Sequence, residues 1–334
     1  MKAKLGPFLK KILFHCGFFH LLRVLFPNRK VAILRYHAVV DPHENFYTTP
    51  SISLSVHDFE RQVQYFAKRY RILSLDEVID ALRTPRPLPA NAVVFTFDDG
   101  YADNFLAAQI LKKHGGSGTF YLATNCVDRQ EPLWLAELHY LIRSAGTTRL
   151  VLQFNGTTVE LSLAEEKARQ EAAREVTRII KSNNRAVREQ VRRQLREQLA
   201  KAEAGKVLDR IMLRWEQVER MLSEGMVIGG HTLSHLNLPN AEPEDAFHEI
   251  QGCREVLEEK LKKPIRHFSV PNSGPYAYYN DAVKQMVGKS GFVSSVVSAH
   301  GFADHDSDLL ELHRIRTVPE LYEVIATIEL GKFQ

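Results

Sequence analysis

The stretch Val93-Val94-Phe95-Thr96-Phe97-Asp98-Asp99-Gly100 decides the fold. The run from Ala92 to Phe97 is short, apolar or β-branched, and bounded by Pro89 and Gly100, which marks a buried strand. A strand interior does not tolerate two adjacent carboxylates, so Asp98 and Asp99 belong at its C-terminal end, facing a cleft. Neighbouring side chains diverge in extended backbone, so the pair can divide its work: one carboxylate on a metal ion, the other free as a proton acceptor. An aspartate here also suits a cap for a helix beginning near Tyr101 to Phe105, and the pair alone does not choose between the two.

A second strand-like run, Met226-Val227-Ile228-Gly229-Gly230, ends in His231-Thr232-Leu233-Ser234-His235. If the backbone turns helically after His231, the four-residue spacing brings both imidazoles to one ion. Two histidines and one carboxylate form a common catalytic divalent-metal set that leaves positions open for water and substrate. An isolated His-x-x-x-His more often lies on a solvated helix. Two apolar strands, one ending in Asp-Asp and the other in this pair, make the metal reading the stronger.

Thr96-Phe97-Asp98-Asp99-Gly100 and Gly230-His231-Thr232-Leu233-Ser234-His235 resemble the first two motifs of the polysaccharide deacetylase (NodB-homology) family of metal-dependent carbohydrate esterases. The resemblance covers most of Val31 to Val318. It implies a distorted, incomplete (β/α) barrel with a largely helical insertion, in which Asp99, His231 and His235 bind Zn²⁺, or Co²⁺, Mn²⁺ or Ni²⁺ in its place, and Asp98 is the catalytic base. The strand Val31 to Tyr36 followed by His37 resembles the opening of family members whose motifs are circularly permuted, where such a histidine is the general acid. His37 takes that place. Phe268-Ser269-Val270-Pro271-Asn272-Ser273-Gly274 resembles the third motif, which lines the cleft, and with Tyr101 supplies the substrate and oxyanion contacts at Pro271 and Asn272. This motif departs from the family pattern. Ser269 stands where an arginine is frequent, Asn272 where a tyrosine is usual and Ser273 where glycine is common. Leu312-His313-Arg314-Ile315 resembles the closing strand; His313 is read as structural, and Asp304, Asp306 and Asp308 as loop acids.

At 334 residues and 44% hydrophobic content the chain has ample material for a globular core. Three scattered cysteines, Cys16, Cys126 and Cys253, argue against a thiolate zinc site and against a disulfide framework. The net charge of +4 is unevenly spread: residues 1–35 carry +8 and residues 161–214 carry +6, leaving −10 on the rest. The catalytic body is acidic, and the basicity lies in two separable segments, which suits an anionic surface better than a basic active site.

Three divisions follow: residues 1–30, an apolar and basic segment; residues 31–127 with 226–334, the deacetylase domain; and residues 128–225, the insertion. Phe8 to Phe26 is apolar but interrupted by Lys10, Lys11, His15, His20 and Arg23, too often to cross a bilayer. An interfacial helix touching a membrane is one reading and burial against the body the other. No cleavable leader is evident, which points to the cytoplasm, with peripheral contact on the inner membrane face.

Between these motifs the alternation of helices and short strands indicates parallel α/β architecture with a site at the strand C-termini. Helices are expected from Ser55 to Phe66, from Ser74 to Leu82 with Ser74 and Glu77 as a capping box, from Asp103 to His114 and from Glu242 to Leu261. Asn155-Gly156 signals a hairpin, and Ala164 to Leu222 reads as helix broken near Ser182 to Asn184. This charged insertion is read first as a solvated cap; its basic excess also admits a patch for membrane or anionic substrate. Nucleic acid is disfavoured because aromatic residues do not interleave with the basic ones. The expected function is hydrolytic removal of N-acetyl groups from an amino-sugar polysaccharide or its precursor. The alternatives are deformylation or deacylation of a lipid-linked amino sugar, and a non-catalytic glycan-binding protein.

Overall fold

A computed structural model describes residues 6–41, 43, 46–201, 204–273 and 276–333. Residues 1–5 of the N-terminal segment and Gly274 of the third motif lie outside the described residues. Seven strands form the body: β1 (Ala32–Tyr36), β2 (Ala92–Phe97), β3 (Gly118–Leu122), β4 (Val227–Gly230), β5 (His267–Ser269), β6 (Ser294–His300) and β7 (Leu312–Arg316). They pair in the order β1-β7-β6-β5-β4-β3-β2, every pair is parallel, and β1 pairs with β2 to close the ring. The ring is a (β/α) barrel one strand short of eight, with a register shift between Val296 and His300 in β6. A two-residue strand, Arg71–Ile72, adds to the start of β2.

Closure depends on packing inside and outside the ring. Every residue of β2 and of β3 is buried, as near-continuous apolar strands between helices should be. Phe97 stacks on Phe120 at 4.5 Å between ring centroids, and Tyr36 stacks on Phe95 and Phe97. Outside, helix Val56–Arg69 is capped by the Ser55 side chain, and helix Leu75–Leu82 by the reciprocal Ser74 and Glu77 box. The register aligns Tyr36 with Phe97, and Leu122 with Gly230, so that the residues after β1, β2, β4 and β5 emerge at one rim.

The chain between β3 and β4 carries its own core. Helices Trp134–Arg143, Glu166–Lys181 and Arg185–Leu199 pack with the hairpin Arg149–Phe154/Thr157–Ser162 around Leu138, Leu150, Val176 and Val191. The hairpin turns at Asn155 and Gly156, both left-handed. Beyond the break at Ser182–Asn184, the expected long helix is interrupted twice more, giving the short helix Ala204–Leu208 and then Trp215–Ser223. The N-terminal segment is two helices, Pro7–His15 and Phe18–Leu25, because Gly17 adopts φ 80°. Lys10 pairs with Glu323 at 2.6 Å, which fixes the first of them on helix Leu321–Gly331.

Gly229 in β4 has no room for a side chain. A Cβ there would meet the Tyr121 ring at 2.6 Å and the His267 carbonyl at 2.8 Å, and the latter is backbone that cannot swing away. Gly229→Ala is expected to cost about 1–3 kcal/mol in chemical denaturation, the usual penalty for overpacking. A variant as stable as the parent would contradict this packing of β3, β4 and β5.

Candidate active site

Asp98 and Asp99 stand at the end of β2, both buried, and their side chains go to different partners. Asp99 has φ 82°, in the left-handed region, which turns its carboxylate toward the end of β4. There its Oδ1 lies 3.3 Å from Nε2 of His231 and 3.3 Å from Nε2 of His235. The helical turn expected after His231 does not form. Thr232 and His235 are both left-handed, with φ 65° and 54°, and this tighter turn brings the two imidazoles to 4.9 Å between centroids. A β-branched residue at positive φ is strained, so surrounding bonds must hold it. The Thr232 carbonyl accepts from the Thr124 N–H, and the Leu233 backbone bonds to Asn125 and Glu249. Ser234 donates its backbone N–H and hydroxyl to the two Glu249 oxygens, and Arg188 of the insertion donates to both oxygens of Ser234.

These three side chains fit a divalent ion. One ligand atom of each lies within 4.8 Å of the others, and all three residues are buried. His231 Nδ1–H donates to the Ser269 carbonyl at 2.7 Å, so its Nε2 lone pair points at Asp99 Oδ1, which has no hydrogen-bond donor of its own. Electron pairs turned on one another in a dry pocket call for a cation between them. Burial works against the imidazolium at His231, yet the Asp99 and Asp98 carboxylates outweigh it and raise its pKa; at His235 burial prevails and the pKa falls.

Asp98 is not the free carboxylate the sequence suggests. Arg314 of β7 holds it with two bonds, Nη1 to Oδ1 at 2.8 Å and Nη2 to Oδ2 at 2.7 Å, and the Ser269 hydroxyl donates to Oδ1 at 3.0 Å. Burial alone would push this carboxyl up, but Arg314 with His231 holds it well below the usual carboxylate range. His37 Nε2 stands 3.8 Å from Asp98 Oδ2, and the Asn104 side chain donates to the His37 carbonyl. Burial, with opposition from Asp99 and Asp98 and help from Arg35 and Arg314, brings the His37 pKa down to about 4, so the imidazole is neutral near pH 7.

The remaining residues fall differently. Pro271 is buried, and Asn272 adopts φ 75° with neither side-chain polar atom bonded, while its carbonyl accepts from Ser298. Tyr101 is fully buried behind Asp99, so its ring is not a substrate contact; the backbone around it bridges to Met212 through the N–H groups of Ala102 and Leu213. Arg314 is the functional residue that sequence reasoning misses. Its signal is an arginine flanked by the apolar Leu312 and Ile315 on a closing strand, in a chain where Ser269 stands at a position that is frequently arginine.

The family model described as polysaccharide deacetylase matches residues 86–294, which include the Asp98–Asp99 and His231–His235 motifs and Ser269. The chain belongs to the polysaccharide deacetylase family. Members are carbohydrate esterases that act on amide bonds. A curated relative, the putative polysaccharide deacetylase YxkH of Bacillus subtilis (strain 168), is 26% identical over 104 residues, 31% of this chain and 36% of that one. The match thus spans about a third of the relative's length. Among solved structures, Streptococcus pyogenes deacetylase PplD in complex with acetate superposes with a TM-score of 0.57 at 21% identity, over 87% of this chain and 94% of that one. IcaB from Ammonifex degensii gives 0.56 at 16% identity, over 90% and 97%. At such identities these two similarities concern the fold.

Removing Arg314 leaves a buried carboxylate without its counter-charge. Arg314→Met is expected to cost about 3–5 kcal/mol of stability in urea denaturation at neutral pH. A loss under about 1 kcal/mol, the scale of an exposed ion pair, would contradict the paired state of Asp98.

Proposed function

We propose that the protein is a divalent-metal-dependent amidohydrolase that removes N-acetyl groups from an amino-sugar glycan or its precursor. The observation carrying this reading is the division of the adjacent aspartates, Asp99 with His231 and His235, and Asp98 with Arg314 and His37. Asp99, His231 and His235 would hold the divalent ion, Zn²⁺ being the first choice, and the ion would supply acidification of water and polarisation of the acyl carbonyl.

The chain's own groups move the proton. Asp98 accepts it from the attacking water, its two oxygens kept in place by Arg314 and Ser269. The same bonds make Asp98 a weak base, so it passes the proton on. His37 is neutral at rest and close to Asp98, so it takes this proton and delivers it to the departing nitrogen as the C–N bond breaks. The products are acetate and the free amine. Backbone N–H groups at Asn272 and Tyr101 are the candidate oxyanion donors; the Tyr101 N–H is not among the donors of the bridge to Met212.

The N-terminal helices support peripheral membrane contact. Phe8 is 78% exposed and Val24 61%, and Leu9, Ile12, Leu21, Leu25 and Phe26 are exposed around them, with Lys11 and Arg29 alongside. Among the described residues no helix is long and apolar enough to cross a membrane. An apolar face edged by cations fits the interface of an anionic bilayer. This favours deacylation of a lipid-linked amino sugar as the second reading, on the same centre.

Asp98→Asn should retain about one metal ion per chain yet lose acyl release by about a hundredfold to ten-thousandfold, the usual contribution of a general base. His231→Ala should lose both. Released acetate, assayed with N-acetylated oligosaccharides, checks this, and an undiminished Asp98→Asn rate would refute the role. The intact protein should co-sediment with phosphatidylglycerol vesicles, and Phe8→Ser with Val24→Ser should weaken that by about tenfold or more. Equal sedimentation of parent and double variant would remove the membrane reading.

A further inference from the structure

Beside the reaction centre lies a cavity of about 980 Å³, large enough for more than an acylated nitrogen and its carbonyl. Tyr36 and His37 of the barrel line it, and so does the insertion. Glu166, Arg169, Gln170, Arg174, Thr177 and Lys181 of helix Glu166–Lys181 all line it. Their spacing of three and four residues means that one whole face of this helix is turned to the cavity. The insertion therefore does more than cap the domain.

The lining is strongly positive. Arg169, Arg174 and Lys181 come from that helix, Arg143 from the preceding one, and Arg35 and Arg316 from the barrel, against Glu166 as the only carboxylate among the described lining residues. Some of this charge is structural, since Arg169 and Arg143 bond to main-chain carbonyls. Arg316 likewise donates through one Nη to the Ser51 carbonyl at 2.8 Å. Lys181, Arg174 and Arg35 are not so occupied. Lys181 lies over the Tyr276 ring at 5.4 Å, and among the described residues no carboxylate oxygen comes within 4 Å of its ammonium, whose pKa burial pushes down. Among the described residues Arg174 pairs only with Glu171, at 4.0 Å. Arg35 has a buried Nε without a hydrogen-bond partner and lies near Arg314 and Arg316, with Asp98 as the compensating charge. Burial, then this repulsion, brings its pKa down to about 10. Like charges gathered in a cleft with low-dielectric walls create a standing attraction for an anion.

We propose that this cavity is an oxyanion-recognising subsite, in which Lys181 and Arg174 of the insertion, with Arg35 and Arg316 of the barrel, hold a phosphate or carboxylate carried by the substrate beside the acyl group. The proposal rests on the deacylase reading and narrows it to acidic amino-sugar substrates. The insertion then selects substrate, and the barrel performs the chemistry.

Three N-acetylated probes test it: neutral chitotetraose, a hyaluronan tetrasaccharide bearing carboxylates, and N-acetylglucosamine 1-phosphate. Binding is measured by calorimetry on metal-loaded Asp98→Asn protein, and acyl release on the unmutated protein. At least one acidic probe should bind about tenfold or more tightly than chitotetraose, with the preference shrinking as salt is added. Preference for the phosphate or for the uronate tells which group carries the oxyanion. Lys181→Met with Arg174→Gln should erase the preference and leave chitotetraose binding unchanged; if that protein fails to fold, the exposed pair Arg174→Gln and Arg316→Gln replaces it. Equal binding of all three probes, binding of none, or a preference that survives the variants overturns the subsite. Acyl release from chitotetraose in that case leaves the deacylase reading standing. Tight acidic binding without acyl release from any probe overturns the reading and not the subsite.

Discussion

The paired bonds between Arg314 and Asp98 are the constraint on which the site depends. They join the last strand of the barrel to the second, across β1, which pairs with both. Burying two charges is expensive, and their attraction compensates only when the geometry is good and the remaining lone pairs are satisfied. Here the Ser269 hydroxyl bonds to Asp98 and accepts from Arg314, while the Arg314 Nε donates to the Val297 carbonyl. Four strands thus meet in one polar cluster. If β7 did not close the ring, Asp98 would sit uncompensated in an apolar interior, so barrel closure and the charge state of the candidate base are a single problem.

Ser269 links that cluster to the candidate metal ligands. Its carbonyl fixes the His231 tautomer while its hydroxyl fixes the Asp98 rotamer, so one residue sets both halves of the proposed chemistry. The guanidinium that pairs with Asp98 comes from Arg314 on β7. Strain is concentrated nearby. Asp99, Thr232, His235 and Asn272 are four of the eight non-glycine residues with positive φ among the described residues. Such conformations survive only where the surroundings over-determine them. Glu249 and Arg188 do this for the turn from His231 to His235 by gripping Ser234. Trp134 adds a bond to the His235 carbonyl.

The parts of this arrangement legible in the sequence are those decided over short distances. Apolar strands that stop abruptly at Asp98 and His231 disclose the rim of the barrel, and Ser55, Ser74 with Glu77, and Asn155-Gly156 disclose caps and a hairpin because each acts within three or four residues. Arg314 acts on a residue 216 positions away, and no local pattern carries such a pairing. The turn after His231 departs from its expected helical form because a threonine at positive φ runs against its intrinsic preference. Only the tertiary bonds to Thr124, Asn125 and Glu249 make it tolerable. The break at Gly17 is hidden for a related reason: a glycine between two apolar helical runs is weak evidence of a turn until the second helix is seen to pack on the body.

Where the insertion enters the chain accounts for its hold on the site. It joins β3 to β4, so its final helix leads directly into the strand that carries His231 and His235. A segment anchored there can brace the turn from His231 to His235 through Arg188, and through Arg185 to Glu249. Its helix Glu166–Lys181 turns another face to the cavity beside His37. That helix meets Arg185–Leu199 at Ser182–Asn184, where the Lys181 carbonyl accepts from Asn237 and Asn240, just beyond His235. The residue that ends the basic face of the insertion is therefore tied by its own backbone to the segment following the metal ligands. A change in where Lys181 sits would be transmitted to that segment, so the proposed charge-recognising side and the turn that carries His231 and His235 are mechanically one piece.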